Sequence, residues 1–173
     1  FRRVLFRSPV AKKPDSVDIC FLPHGNYQKL VVEEMKGKPK TGNIVTEDGE
    51  VLGKHNGLFN YTIGQRKGLG IAYKHPLYVI GFNGDRNEVI VGPNERLFTN
   101  RMICKFYNFL DDTIHKELKA EGKIRYAANP SPCTARILDD DTMEVIFEEP
   151  QRAITPGQSV AFYNGTQLLG GAV

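Results

Sequence analysis

The hydrophobic positions of the chain follow a helical spacing in one stretch and a strand-like spacing in most of the rest. In residues 26–36 the apolar side chains recur at every third or fourth position, which predicts a short amphipathic helix. Asn26 is a suitable N-cap, and Gly37 and Pro39 supply the stop signals. From Thr41 onward, short β-branched or alternating segments are separated by turn residues, which predicts a series of strands.

Turn residues between these segments predict hairpins. The expected turns lie at residues 48–49, 83–85, 121–122, 139–141 and 164–165, where Asn, Asp or Glu adjoins Gly or acidic residues cluster. The strands predicted on either side are 43–46, 51–53, 77–82, 88–92, 102–109, 118–120, 123–126, 134–138, 143–147, 160–163 and 167–169. A boundary near residues 93–100 would separate a mixed segment from a six-stranded all-β segment typical of a small barrel or sandwich.

Composition fits an ordinary globular protein. Of the 173 residues, 40% are hydrophobic and 25% are charged, which excludes an intrinsically disordered chain. No apolar run approaches the ~20 residues of a membrane helix, and residues 1–8 lack the apolar core of a secretory signal. Three scattered cysteines predict neither a disulfide framework nor a metal site. We therefore expect a cytoplasmic protein that does not contact membranes.

The net charge is small, but its distribution is uneven. Lys and Arg total 23 against 20 Asp and Glu, and Arg2, Arg3 and Arg7 account for the whole excess. From Lys54 to His75 the chain has basic residues and no acidic ones. A local basic surface is therefore expected on a nearly neutral molecule.

The most unusual segment is YTIGQRKGLGI at residues 61–71. Its glycines allow backbone amides to approach a phosphate closely. Arg66 and Lys67 add positive charge, and Gln65 can hydrogen-bond a base or a sugar. The alternative interpretation is a flexible turn with a solvated basic tip, and composition alone leaves both open.

Three further features are candidates for chemistry or binding. Cys20 has apolar neighbours and is either a buried thiol or a nucleophile and sulfur carrier, whereas Cys104 and Cys133 lie in strand-like segments and are predicted core thiols. The pair Arg125-Tyr126 can grip an RNA backbone and stack on a base, or form an ordinary salt bridge beside a half-buried ring. Gln158 alone is an ordinary turn residue.

The motifs of phosphate loops, dinucleotide-binding folds, zinc proteases and serine hydrolases are absent from the sequence.

Taken in order, several motifs resemble the C-terminal half of the tRNA-specific 2-thiouridylase family, from about residue 9 to residue 173. They are DSVDICF at 15–21, YTIGQRKGLGI at 61–71, RY at 125–126, PCT at 132–134, FEEP at 147–150 and TPGQS at 155–159. The resemblance implies a mainly β fold with one short helix (α+β), in which a small central mixed domain precedes a translation-factor-like β-barrel. It implies three parts: residues 1–29, a remnant of the catalytic domain that carries the cysteine motif; residues 30–97, a central linking domain; and residues 98–173, the barrel. Residues 1–8 do not match the family, which leaves open whether they are native.

The resemblance also implies a reaction. An N-terminal ATP-pyrophosphatase domain, absent from this sequence, adenylates the C2 oxygen of the wobble uridine in tRNA, and a persulfide on Cys20 delivers sulfur to C2. A second cysteine then releases the product by forming a transient disulfide with Cys20, and a sulfur-relay protein supplies the sulfur. Arg125, Tyr126 and Gln158 correspond to residues that touch tRNA. Where the family usually continues with basic and polar residues, this chain has Ala127-Ala128-Asn129, which weakens one expected contact.

The basic loop residues Gln65, Arg66 and Lys67 complete the predicted tRNA surface. Because the SGGxDS-type nucleotide loop and the partner cysteine are absent from the sequence, we expect ATP to bind elsewhere and this chain to be inactive alone. Two other functions remain open at this point. One is a stand-alone RNA-binding β module without catalysis, and the other is a thiol redox protein that uses Cys20.

Overall fold

The computed structural model describes residues 27–34, 39–111, 113–114 and 116–173. The chain separates into two compact units, residues 1–39 and residues 40–173. In the first unit, helix α1 (Tyr27–Glu34) lies where the apolar spacing predicted a helix. Leu30 and Val31 are half-buried while Glu33 and Glu34 are exposed, as an amphipathic helix requires. Within the described residues, no helix has the length and hydropathy of a membrane span.

The second unit begins with a four-stranded sheet. Its strands are β1 (Gly42–Thr46), β2 (Val51–His55), β3 (Tyr78–Asn83) and β4 (Glu88–Gly92), in the order β2-β1-β4-β3. The hairpins β1–β2 and β3–β4 are antiparallel, and the two central strands β1 and β4 run parallel. The predicted turns at 48–49 and 83–85 therefore form the two hairpins, and the parallel ladder joins them.

A seven-stranded antiparallel sheet follows. Its strands are β5 (Phe98–Lys105), β6 (Asn108–Phe109), β7 (Glu117–Lys123), β8 (Ser131–Ile137), β9 (Thr142–Arg152), β10 (Val160–Asn164) and β11 (Gln167–Ala172), in the order β5-β9-β8-β7-β10-β11-β6. Lys105 and Val173 exchange two backbone hydrogen bonds of 2.6 and 2.9 Å, so the end of β5 reaches the residue after β11. The sheet thus curls towards a barrel, although the ladders between described strands do not close it.

Each sheet has its own hydrophobic core. Ile44, Val79, Val89 and Val91 are fully buried in the four-stranded sheet, on its central strands and β3. The core of the seven-stranded sheet is larger, and its buried members are Cys104, Ile124, Cys133, Ala135, Met143, Val145, Phe147, Val160, Phe162 and Ala172. The alternation of buried and half-buried positions along the first half of β9 is the pattern of a strand with one face in the core.

The predicted mainly β fold with one short helix is confirmed, and the hairpin turns at 139–141 and 164–165 are also present. The predicted hairpin at 121–122 is wrong, because Gly122 lies inside the continuous strand β7. A Cβ atom at Gly122 would lie 2.8 Å from the Phe147 ring and 2.9 Å from the Cys133 Sγ. This glycine therefore permits close packing in the core and does not make a turn.

The prediction of one strand over residues 102–109 is also wrong. β5 ends at Lys105, Phe106 adopts a φ of 51°, and the short strand β6 starts at Asn108. Cys104 is buried, whereas Phe106 and Asn108, predicted to share its face, are exposed. The segment expected to be six-stranded is a sheet of seven described strands. The predicted domain boundary between residues 97 and 98 falls between the two sheets and stays a prediction.

Candidate functional site

The glycine-rich loop is anchored to the four-stranded sheet at its start. Gly64 N–H donates to the Val79 carbonyl at 2.8 Å, and Val79 N–H donates to the Gln65 carbonyl at 2.9 Å. Gly64, Gly68 and Gly70 all have positive φ angles, of 87°, 77° and 68°. Such φ values favour glycine, so the spacing of glycines in the motif follows from the conformation of the loop. The side chains of Arg66 and Lys67 are exposed.

The Gln65 side chain holds the loop together. Its Oε1 accepts a hydrogen bond from Thr62 N–H at 3.0 Å, and its Nε2 donates to the Lys67 carbonyl at 2.9 Å. Both ends of the amide are therefore engaged within the loop. The predicted contact of Gln65 with tRNA stays a prediction, and the role that the structure gives this side chain is to position Arg66 and Lys67.

The structure brings Arg125 and Gln158 together. Arg125 follows β7 in a bend, and its Nε donates to Gln158 Oε1 at 3.3 Å. Its Nη2 donates to the Ala153 carbonyl and, at 3.4 Å, to Thr155 Oγ1. The sequence indicated Arg125 and Gln158 separately, and each was weak alone. Their contact makes them one group in which the guanidinium is fixed by three acceptors.

Ala153 connects this group to the glycine-rich loop. The residue is buried, and its φ of 55° is unusual for a residue other than glycine. Its N–H donates to the Leu97 carbonyl at 2.7 Å while its own carbonyl accepts from Arg125. A Cβ atom placed on Gly64 would lie 3.2 Å from the Ala153 Cβ. The loop and the Arg125 group therefore both approach one buried residue.

Sequence reasoning missed Ala153 and its neighbour Arg152. The Arg152 guanidinium lies 5.5 Å from the centre of the Tyr78 ring, and its Nε donates to Asn94 Oδ1 at 3.1 Å. These contacts join β9 to β3 and to the 3-10 turn Asn94–Leu97. Nothing in the local sequence marks Ala153, and Arg152 could have been noticed only as a basic residue next to the TPGQS motif.

Tyr126 is 88% exposed, more than any other large hydrophobic or aromatic side chain of the described residues. The Lys123 Nζ lies 5.7 Å from the centre of its ring. An exposed aromatic ring beside an ammonium group suits stacking on a base next to a phosphate. The predicted alternative of a half-buried tyrosine at this position is wrong.

Four arginines of residues 40–173 form ion pairs. Arg86, Arg96, Arg101 and Arg136 each contact a glutamate at 2.5–3.1 Å. Among the described residues, no ion pair involves Arg66, Lys67, Lys74 or Arg125. Within the described part of the chain, no carboxylate therefore neutralises these four charges by direct contact.

The cysteines divide as predicted where the structure describes them. Cys104 and Cys133 lie in the core of the seven-stranded sheet, and burial raises the pKa of each thiol to about 11. Such thiols are poor nucleophiles because the reactive thiolate is scarce at neutral pH. Cys20 and the rest of its motif lie outside the described residues. Among the residues described, no cluster of His, Cys, Asp and Glu has the arrangement of a metal site.

Comparison with known proteins assigns both sheets to families. Residues 30–93 match the tRNA methyl transferase PRC-barrel domain, and residues 99–173 match the aminomethyltransferase beta-barrel domain. The tRNA-specific 2-thiouridylase MnmA of Clostridioides difficile strain 630 is 44% identical over 165 residues, which are 95% of this chain and 46% of the relative. The protein of the same name from Carboxydothermus hydrogenoformans is 46% identical over 162 residues, 93% of this chain and 44% of the relative.

The chain spans about half the length of the curated relatives that it matches. The two domain matches follow each other along the sequence, and together they include the glycine-rich loop and the Arg125 group. The relatives are also similar along nearly the whole of this chain and not only at the motifs. The chain therefore belongs to the tRNA-specific 2-thiouridylase family.

Proposed function

We propose that this chain binds tRNA and carries sulfur in the ATP-dependent 2-thiolation of a wobble uridine. The names of the relatives support the reaction. The structural observation that carries the proposal is the convergence of the predicted tRNA residues. Arg125 binds both Gln158 and the Ala153 carbonyl, and Ala153 also borders Gly64 of the loop that displays Arg66 and Lys67.

The chemistry proceeds by activation and then by sulfur transfer. The C2 oxygen of uridine attacks the α-phosphate of ATP, pyrophosphate leaves, and AMP becomes the leaving group on C2. The terminal sulfur of a persulfide on Cys20 attacks C2, and AMP departs with the original oxygen. A second thiolate then attacks Cys20 Sγ and breaks the S–S bond, which leaves sulfur on C2 and a disulfide between the two cysteines.

The second cysteine and the ATP site are proposed to lie outside this sequence. Cys104 and Cys133 are unsuited to the second role because both are buried and their pKa values are raised to about 11. The sequence has no SGGxDS-type nucleotide loop, and the relatives are about twice as long. A thiol reductant first reduces the disulfide, and a separate sulfur-relay protein then transfers persulfide sulfur to the freed Cys20 thiol.

In this proposal the described residues supply the side chains that contact the RNA. Arg125 is held by bonds from Nε and Nη2, and no hydrogen bond from its Nη1 to another described residue is present. A guanidinium fixed on one side binds a phosphate with little further loss of side-chain entropy. Arg66 and Lys67 contact the backbone at a second position, and Tyr126 stacks on an unpaired base.

A tRNA titration at two salt concentrations tests the binding surface. We expect a Kd of roughly 10⁻⁴–10⁻⁶ M, the range of non-specific nucleic-acid binding at physiological salt. Arg125→Ala and the double variant Arg66→Ala/Lys67→Ala should each weaken binding and reduce its salt dependence, because fewer counterions are released. Lys119→Ala removes one exposed charge from β7 and should have little effect.

The three arginines near the N-terminus require their own control. Arg2→Ala/Arg3→Ala/Arg7→Ala should retain the dependence on Arg66, Lys67 and Arg125. If the loop and Arg125 variants leave both the affinity and the salt dependence unchanged, the proposed surface is wrong.

Sulfur loading tests the role of Cys20. The chain is incubated with a cysteine desulfurase and radioactive cysteine, and protein-bound sulfur that a reductant releases is counted. Cys20→Ser should lose this label, while Cys104→Ala and Cys133→Ala should keep it because those thiols are buried. Full labelling of Cys20→Ser would contradict the assignment.

A further inference from the structure

The second half of the glycine-rich segment and the residues after it fold around an open cavity of about 490 Å³. Its volume lies in the range of roughly 300–1,000 Å³ that is usual for small-molecule and cofactor pockets. The lining comes from residues 66 and 68–77. It includes two permanent cations, Arg66 and Lys74, and one histidine, His75, and it contains no acidic residue.

Tyr73 gives this pocket an aromatic wall. Its ring is 37% exposed. The His75 ring meets it edge-on, with centroids 4.9 Å apart and an interplanar angle of 85°, and the Lys74 Nζ lies 5.7 Å from its centre. These two contacts hold the ring and place an ammonium group beside it. An aromatic surface next to a cation is the arrangement that binds a base together with its phosphate.

Within the described part of the chain, no hydrogen bond is donated by the backbone N–H groups of residues 68–75, which line the pocket. A Cβ atom on Gly70 would meet nothing within 4 Å, so the backbone is open at this position. Consecutive N–H groups without an acceptor among the described residues are well suited to bind an anion.

Acidic residues lie on the other side of the aromatic wall. Tyr73 and His75 also border a smaller cavity that is lined by Glu47, Asp48 and Glu50. Among these carboxylates, Glu47 is paired with Arg96 at 2.8 Å. A phosphate is repelled on this side and attracted on the side of Arg66 and Lys74, so an anionic strand is directed to the basic pocket.

We propose that the pocket formed by residues 66–77 binds one nucleotide of an RNA strand. Arg66, Lys74 and the backbone N–H groups of residues 68–75 bind the phosphate, and Tyr73 stacks on the base. The proposal rests on the proposed function, because the RNA is the strand that crosses Arg66 and Lys67. Arg66 belongs both to the exposed loop and to the lining of the pocket, so one strand can reach both.

The test uses the full 173-residue chain and fluorescein-labelled single-stranded RNA, with anisotropy as the readout. Two ligands are compared: a uridine-rich oligonucleotide and an oligomer of the same length with abasic ribose phosphates. Lys74→Ala should weaken both ligands about equally, by roughly three- to tenfold, because it removes a phosphate contact. Tyr73→Ala should weaken the oligonucleotide by about fivefold or more and leave the abasic oligomer unchanged, since only the former offers bases to stack.

Tyr73→Phe and Lys119→Ala are the matched controls. Tyr73→Phe keeps the ring and should retain full affinity, and Lys119→Ala removes one exposed charge from β7, outside the lining of the pocket. Thermal melting of each variant shows whether it folds. Should Tyr73→Ala be unfolded, Tyr73→Leu, which keeps apolar bulk without an aromatic face, replaces it. Competition with uridine monophosphate and with inorganic phosphate separates a free nucleotide from a strand.

The outcomes distinguish this proposal from the proposed function. Selective loss of oligonucleotide binding in the Tyr73 variant supports the pocket. If Arg125→Ala weakens RNA binding but Tyr73→Ala and Lys74→Ala do not, the pocket proposal is overturned and the proposed function stands. If uridine monophosphate binds at the affinity of the oligonucleotide, the pocket is a free-nucleotide site and the RNA assignment is wrong. Absence of any RNA binding overturns both.

Discussion

Gly64→Ala tests whether the glycine-rich loop is in steric contact with Ala153, the residue whose carbonyl holds Arg125. The substitution adds one methyl group at a residue whose φ is 87°. The new Cβ atom would lie 3.2 Å from the Ala153 Cβ and 3.4 Å from the Arg152 Nη1. Because Ala153 is buried and holds Arg125 through its carbonyl, a shift there is transmitted to the guanidinium.

The expected cost has two parts. An alanine in the left-handed region is strained by about 1–2 kcal/mol, and the lower entropy of the unfolded chain offsets about 0.4–1 kcal/mol of this. The contact at 3.2 Å requires a displacement of only a few tenths of an ångström, so its cost lies at the low end of overpacking, about 1 kcal/mol. We expect Gly64→Ala to lower the free energy of unfolding by about 1–3 kcal/mol.

Gly49 provides a matched control for the backbone strain. Its φ is 86°, nearly that of Gly64, and a Cβ atom there would meet nothing within 4 Å. Urea denaturation followed by circular dichroism should therefore show a smaller loss for Gly49→Ala than for Gly64→Ala. The difference of about 1 kcal/mol measures the contact with Ala153.

Ala153→Gly completes a double-mutant cycle. It removes the methyl group that the new side chain would meet, so its effect on stability should be more favourable by about 1 kcal/mol in the Gly64→Ala background than in the Gly49→Ala background. Gly64→Ala should also weaken tRNA binding, and Ala153→Gly should restore it. Equal losses for the two glycine variants, or equal rescue of both, would refute the proposed contact.

Three further predictions use other parts of the molecule. The buried His55 ring binds the Asn87 carbonyl through Nε2 and accepts a hydrogen bond from Gly57 N–H at Nδ1. His55→Leu should therefore lower the free energy of unfolding in urea by about 2–5 kcal/mol, whereas Lys54→Leu should change it little. Burial raises the pKa of Cys104 and Cys133 from 9.0 to about 11, so the folded state holds these protons more tightly than the unfolded state. The contribution of the two thiols to the free energy of unfolding is therefore fully present below pH 9 and falls by up to about 2–3 kcal/mol per thiol as the pH rises to 11. The free energy of unfolding of the Cys104→Ala/Cys133→Ala variant should fall less over that range. The chain with ATP and tRNA should release no AMP in a chromatographic assay, and AMP formation above that of a no-protein control would contradict the placement of the ATP site outside this sequence.

The hairpins could be predicted from the sequence because their signals are local. Asn164-Gly165 favours a tight turn through its own backbone preferences, and the turn joins β10 to β11 as expected. The signal failed at Gly122, where the same residue type serves a different purpose. Its small size matters because Phe147 and Cys133 approach from β9 and β8, and such neighbours are not visible in the local sequence.

The candidate site was predictable only as separate pieces. The glycines of residues 61–71 and the exposed cations of the loop were marked by their residue types, whereas Arg125 and Gln158 were named mainly through the family resemblance. Their hydrogen bond joins residues 33 positions apart, and no pattern of hydrophobicity encodes it. Ala153 could not be predicted from the sequence, because its role depends on a positive φ and a buried position. An alanine in a sequence indicates neither.

The parallel ladder between β1 and β4 has a consequence for the order of folding. The two strands of each hairpin in the four-stranded sheet are joined by a short turn. The parallel ladder instead pairs Thr46 with Val91, so the long segment between these residues must form a closed loop. Pairing across a long segment costs more loop entropy and forms late. The glycine-rich loop and the pocket of residues 66–77 both lie within that segment.

The part of the sheet that we propose to contact RNA should therefore form as one late cooperative unit. Val79, to which the loop is anchored at Gly64 and Gln65, lies on β3, and β3 is connected to β1 through β4. The core of the seven-stranded sheet has its own buried residues. Amide protons of Ile44 and Gly64 should then exchange with solvent at a common rate, and those of Val145 and Phe162 more slowly. RNA bound to the loop would slow the exchange of the Ile44 and Gly64 amides, because a ligand stabilises the folded form that it binds. Under the proposed function, the stability of this late-forming unit therefore depends on its ligand.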